Sequence, residues 1–107
     1  MILEKLNLNE ANFVDVINYI EENYNYTASA FLNGNQENSK DQNQGSAKVF
    51  AFAKLNDFSK EDTLKLFAEH YQSVLENPKG VDHNNIRQFM LNGWEGIKFE
   101  NEVLKKK

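Results

Sequence analysis

The sequence predicts an α+β fold in one small domain: three to four helices packed on a small, mostly antiparallel sheet. Three observations carry this. Apolar residues recur at helical spacing over residues 13–24 and 64–75, aromatic and β-branched residues open an alternating stretch over 24–32, and turn dipeptides separate these segments. The chain has 107 residues, eight Phe, four Tyr and one Trp. That is one domain, and it buries roughly two-thirds of its unfolded surface.

The first helix is predicted from about Glu10 to Asn23. Asn9 is its cap, Phe13, Ile17, Ile20 and Tyr24 its apolar stripe, and Leu8 against Phe13 its staple. Tyr24 to Leu32 alternates as a strand does, and Asn33-Gly34 ends it. From Asn33 to Ser46 the chain has no apolar residue. Such a segment has nothing to bury, so a mobile connector is the plainer expectation. The competing reading is an ordered polar loop, its ends fixed by side-chain bonds from Asn33 and Asn43 and only its middle, Gln36 to Asp41, mobile.

Ser46 to Leu55 is ambiguous. A cap at Ser46 and abundant Ala point to helix, whereas Val49, Phe50 and Phe52 suit a buried strand. Ser59, with Asp62 three residues on, caps a helix whose face is Leu64, Phe67, Ala68, Tyr71, Val74 and Leu75. Asn77-Pro78-Lys79-Gly80 stops it. Asp82 is the expected cap of the next helix, with Val81 and Ile86 as staple, Phe89 and Met90 buried, and Gly93 as stop. Glu95 to Phe99 reads as a strand.

Charge and composition exclude several functions. The net charge of −4 repels phosphate backbones, so nucleic acid is not an expected partner. The terminal Lys105-Lys106-Lys107 is expected to be a solvated end. The longest uncharged apolar run, Val49 to Ala53, is far short of the roughly 20 residues a membrane span needs. There is no cysteine, which removes disulfides, thiolate catalysis and Cys-based metal sites. A capped helix early in the chain leaves little room for an unfolded export signal, so a resident cytoplasmic protein is expected.

NYTASAFLNG, NQGSAKVFAFAKLNDFS and GVDHNNIRQFMLNGWEGIKFEN together resemble the HopJ type III effector family. The likeness runs from about Glu21 to Leu104. Its densest part is the ordered set Asp82, His83, Asn85, Ile86, Arg87, Phe89, Met90, Gly93, Trp94, Gly96 and Ile97. The resemblance implies one small α/β domain and no particular reaction. The family often has Pro after the Thr of the first strand segment, where this chain has Ala28. It often has Cys in the segment matching Gly45 to Lys48, where this chain has the redox-inert Ala47.

The residues themselves nominate one polar constellation, Asp82, His83, Asn85 and Arg87. His83 and Arg87, four apart, share a helix face and could hold an anion or supply a base. A helix cap and a tie to a neighbouring loop account for the same residues more simply. Trp94 between Gly93 and Gly96 could line a pocket, although a lone Trp more often sits in a core with its N–H on backbone. With two His and no Cys, no metal site and no cofactor are expected. His70 reads as a partly exposed helix residue. No Walker loop, dinucleotide fingerprint or nucleophile elbow occurs. The expectation is therefore a non-catalytic binding or interaction domain, its partner a protein or a small polar ligand. The candidate binding set is Asn33, Asn43, Ser46, Lys48, Asp82, His83, Asn85, Arg87 and Trp94. The alternative is a small enzyme, or a small-molecule or anion binder, built on Asp82 to Arg87.

Overall fold

The computed structural model describes Glu4 and residues 11–107. Five α-helices and two small antiparallel sheets lie between residues 11 and 107; the class is α+β as predicted, with more helices than the three to four expected and two sheets in place of one. None of the described helices is long and apolar enough to cross a membrane.

Helix α1 spans Phe13–Asn23 and starts three residues later than predicted. Asn12 is its cap. The Asn12 side chain accepts the Asp15 N–H at 3.1 Å and the Asp15 carboxylate accepts the Asn12 N–H at 2.9 Å. This reciprocal pair satisfies two donors that a helix start otherwise leaves open. The expected cap Asn9 and staple residue Leu8 lie outside the described residues. Val16 and Ile20 are fully buried.

The predicted strand Tyr24 to Leu32 is two strands in two sheets. β1, Tyr24–Tyr26, pairs antiparallel with β5, Leu104–Lys106. The lysine tail is therefore sheet-paired along its backbone rather than a free end. β2, Phe31–Asn33, pairs antiparallel with both β3, Gln36–Asn38, and β4, Ile97–Phe99, in the order β3-β2-β4. Ser29 causes the change of sheet. It is 1% exposed, its hydroxyl donates to Ala30 O and accepts from the Asn101 N–H, and its own N–H donates to the Gln44 side chain. Those bonds replace a strand ladder between the two sheets.

Asn33-Gly34 makes the predicted turn. Gly34 has φ +60, and a Cβ there would collide with the Gln88 side-chain amide. The turn leads into β3, so Gln36–Asn38, expected within the mobile centre of a loop, is a paired strand. Pairing among polar side chains orders it in place of apolar burial.

Ser46 to Leu55 is helical, within α2, Gln44–Leu55. Ser46 is not its cap; Asn43 holds that position with φ 53 and no side-chain cap bond. Ala47, Val49, Phe50, Ala51, Phe52 and Ala53 are all buried. A helix buried on nearly every side has no polar face, which is why its period is hard to read. Its Phe50 ring lies within 6.3 Å of four others: Phe31, Phe67, Phe89 and Trp94.

Ser59 caps as predicted, its hydroxyl accepting the Asp62 N–H at 3.1 Å. The long helix does not follow. α3, Lys60–Lys65, and α4, Glu69–Glu76, are separated by a break at Ala68, with φ 49 and ψ −121. Leu66 and Phe67 are both buried beside Leu64. The residues before the break are held by short i→i+3 bonds, Phe67 N–H to Leu64 O and Ala68 N–H to Lys65 O. After the turn the Glu69 carboxylate accepts the Phe13 N–H at 2.7 Å and ties α4 to the start of α1.

α5, Asn84–Asn92, begins at His83 rather than at Asp82. Val81 is 91% exposed and forms no staple. Gly93, φ 59, ends the helix as predicted, and a 3-10 turn over Gly93–Gly96 shortens the expected last strand to β4.

Ala68 occupies backbone space that favours glycine. Ala68→Gly is expected to raise stability by about 1 kcal/mol, since the strain relieved (~1–3 kcal/mol) exceeds the added chain entropy (~1 kcal/mol). Urea unfolding checks this, and an unchanged or lower midpoint would contradict it.

Candidate functional site

Asn85, the second residue of α5, is 6% exposed and sits where the hairpin meets the helix start. Its side chain and that of Asn38 form a reciprocal amide pair, Asn85 Nδ2 donating to Asn38 Oδ1 at 3.0 Å and Asn38 Nδ2 to Asn85 Oδ1 at 3.2 Å. Asn33 Nδ2 donates to Asn85 O at 2.6 Å and to its Oδ1 at 3.1 Å. Asn43 Nδ2 reaches Asn38 Oδ1 at 2.7 Å. Asn84 Nδ2 donates to Gln36 Oε1 at 2.7 Å. The predicted side-chain bonds from Asn33 and Asn43 are thus present. Among the described residues, the buried Asn33 Oδ1 finds no partner.

This network sets the starts of α2 and α5 beside one cleft. Both N-cap residues, Asn43 (φ 53) and His83 (φ 51), are left-handed, and neither helix has a side-chain cap bond. An N-cap side chain normally reaches the second or third N–H from an extended backbone. The left-handed turn removes that option. At α5 the Ile86 N–H turns back onto His83 O at 3.0 Å, and the positive ends of two helix dipoles lie beside the cleft.

The cleft has a volume of about 340 Å³. Gln36, Asn43, Gly45 and Ser46 line one side, His83, Asn84, Asn85 and Ile86 another, and Phe13, Phe67 and His70 complete it. The Phe13 and Phe67 rings stack at 6.0 Å. Phe13 meets the His70 ring edge-on at 4.7 Å, and His70 lies 5.1 Å from the His83 ring at 34°. Four sequence-predicted residues, Asn43, Ser46, His83 and Asn85, therefore line one cavity. Asn33 stands behind it as a support for Asn85.

The rest of the predicted set lies elsewhere. Arg87 donates to Asp82 O at 2.6 Å, Asn77 O at 2.9 Å and Asp82 Oδ1 at 2.7 Å, and so staples the Asn77–Asp82 loop to α5. A Cβ at Gly80 would lie 2.7 Å from Arg87 Nη2, so the loop closes tightly on the guanidinium. Asp82 caps no helix; its carboxylate serves Arg87 and lies 3.9 Å from His83 Nε2. The Arg87 hydrogen bond, with the Arg87 and His83 charges, holds the Asp82 carboxyl below the usual aspartate range. Lys48 lies over the Tyr26 ring at 4.3 Å and 3.9 Å from Glu21. Burial pushes the Tyr26 hydroxyl up, and that hydroxyl donates to the Gln44 side chain. Trp94 packs on Phe50 and Phe89 and donates its indole N–H to Phe58 O at 3.2 Å, the core role weighed for it.

Sequence reasoning missed His70, Asn84, Gln36 and the two Phe rings. His70 reaches the cleft because Ala68 breaks the helix, and no local signal in the sequence marks that break. The alternation Gln36-Glu37-Asn38 after Asn-Gly is a hairpin signal that its polarity obscures. Among the described residues, no group of three or more His, Asp or Glu is placed to hold a metal ion.

The model of the HopJ type III effector protein family matches residues 1–104. The chain belongs to the HopJ type III effector protein family. The crystal structure of the unknown function protein VPA0580 is similar to it, with a TM-score of 0.92 and 44% identity over 99% of this chain and 91% of that one. No curated protein gives a significant match.

Two predictions test the site's scaffold. Asn85→Ala strands Asn38 and Asn33 in the interior, and a lost buried partner costs about 1–3 kcal/mol. The urea midpoint should fall accordingly, and amide exchange over Gln36–Asn38 should quicken; an unperturbed hairpin would show that the network does not hold it. For Asp82, the folded carboxyl is depressed relative to the unfolded chain. Its contribution to stability is present above the unfolded value and is lost as pH falls through the lower folded value. A carboxyl NMR titration should find Asp82 below the ordinary aspartate range and moving back up in Arg87→Gln. An unchanged value in that variant would remove Arg87 as the cause.

Proposed function

We propose that this HopJ-family protein is a non-catalytic binding domain whose ligand is a small polar molecule seated in the cleft between α2 and α5. One observation carries the reading: two helix starts without side-chain caps, Ser46 and both histidines line a single cavity of about 340 Å³. Small-molecule sites are concave and combine apolar walls with a few convergent polar groups. Here the walls are Phe13 and Phe67, and the polar groups come from three separate stretches of chain. The cluster that looked most reactive in the sequence, Asp82 with Arg87, is engaged in holding a loop. That favours binding over catalysis at this end of the molecule. The cytoplasm is the proposed site of action, which a cysteine-free sequence suits.

Screening pooled polar metabolites against the 15N-labelled protein tests this directly. Amide shifts should centre on Gly45, Ser46, Asn84 and Asn85. A shift map centred instead on the exposed Val81 and Leu91 side chains would overturn the reading and point to a protein-docking face.

A further inference from the structure

The cleft carries two kinds of lining, and their chemistry narrows the ligand. Resting on the binding reading above, we propose that the ligand is a neutral, planar heterocycle of nucleobase type, its face against an aromatic wall and its edge against side-chain amides. The wall is continuous. Phe67 stacks on Phe13 at 6.0 Å and 13°, Phe13 meets the His70 ring edge-on at 4.7 Å, and His70 lies 5.1 Å from His83. All four residues line the cavity. Phe67 is 2% exposed and backs the wall, while Phe13 and His70 are half-buried and present it. A flat π-system stacks on such rings whatever its sequence of ring atoms, and a saturated molecule of the same size does not.

The second lining is made of carboxamides. Gln36, Asn43, Asn84 and Asn85 line the same cavity, with Ser46 beside them. The Asn85 side chain is committed to the hairpin. Asn84 gives one N–H to Gln36 Oε1, and Asn43 gives one to Asn38 Oδ1. A carboxamide has two N–H donors and an acceptor oxygen. Among the described residues, the second N–H and the oxygen of Asn43 and of Asn84 are unpaired. Donors beside acceptors on a flat edge are what a nucleobase offers in return, and Asn and Gln pair with base edges in this way.

Charge and size set the remaining limits. Among the described residues, no Asp, Glu, Lys or Arg lines the cavity. Asp82 lies 3.9 Å from His83 Nε2 but is paired with Arg87. A charged ligand would leave water for a lining without a fixed counter-charge, which is unfavourable. The volume of about 340 Å³ is at the low end for small-molecule sites, and suits a base or nucleoside better than a larger cofactor. The net charge of −4 sets the chain against a strand of phosphates, so the base is that of a small molecule.

Titration of the 15N-labelled protein with adenine, hypoxanthine, cytosine and uracil tests this. At least one base should shift the Gly45, Ser46 and Asn84 amides and show NOEs from its ring protons to the Phe13 and His70 rings. Phe13→Leu keeps an apolar side chain and removes the ring, and Kd for that base should rise about tenfold or more. Asn84→Ala removes the amide edge and should raise it about tenfold. An unchanged amide spectrum outside the cleft confirms the fold of each variant. The nucleoside compared with its base separates two sources of the heterocycle: tighter nucleoside supports a nucleoside ligand, and equal affinity supports the free base. Binding without NOEs to the rings, or an unchanged Kd in Phe13→Leu, overturns the proposal. So does the failure of all four bases. If a saturated polar metabolite then shifts Gly45 and Asn84, the binding cleft stands without the planar ligand.

Discussion

The Asn85 side chain is the joint on which the functional face of this molecule depends. It lies among Asn33, Asn38 and the start of α5, and its bonds reach β2, β3 and, through Asn38 and Asn43, the start of α2. Burying an amide is unfavourable unless its donors and acceptors are met. Here they are met only when hairpin and both helix starts are together, so each piece fixes the others. Asn is the residue that can do this. It carries a donor and an acceptor on one short neutral group, so two of them pair reciprocally and bring no charge into the interior. Asp in the same place would lack the donor that Asn38 Oδ1 receives.

That joint also explains how a segment with no apolar residue is ordered. The argument for mobility was that such a stretch has nothing to bury. It has nothing apolar to bury, but its polar groups match one another and those of α5. Asn33, Asn38 and Asn85 are all buried. The rule linking polarity to disorder concerns hydrophobic gain, and a polar network satisfied at every buried side-chain atom but Asn33 Oδ1 meets the ordering cost by another route.

What the sequence made legible was local. The stripe Phe13, Ile17, Ile20 and Tyr24, the Ser59 cap, the Asn33-Gly34 turn and the Gly93 stop each depend on neighbours a few positions away, and each is present. What it hid was tertiary. The break at Ala68 goes with a tertiary tie, the Glu69 carboxylate on the Phe13 N–H, and the strand divides at Ser29 because Asn101 and Gln44 meet it there. The cap at Asp82 was misplaced because Arg87, five residues on, takes the carboxylate. The site divides the same way. Asn43, Ser46, His83 and Asn85 stood out as residue types, whereas His70 is brought to His83 by a turn that no short window reveals.

The backbone itself separates the two kinds of helix start. Asn12 and Ser59 hold extended N-cap conformations, with ψ −178 and 166, and their side chains close the helices they begin. Asn43 and His83 are left-handed, and theirs do not. Left-handed backbone at a non-glycine residue is held only where surrounding contacts demand it. At Asn43 the contact is the bond to Asn38, which draws the side chain away from its own helix. At His83 the ring is turned towards His70. In both places the side chain that would seal a helix start is used to build the cleft wall instead. The polarity of the cleft is thus a consequence of the amide network. The bond from Asn43 to Asn38 that helps lock the hairpin also keeps the start of α2 from closing on its own side chain.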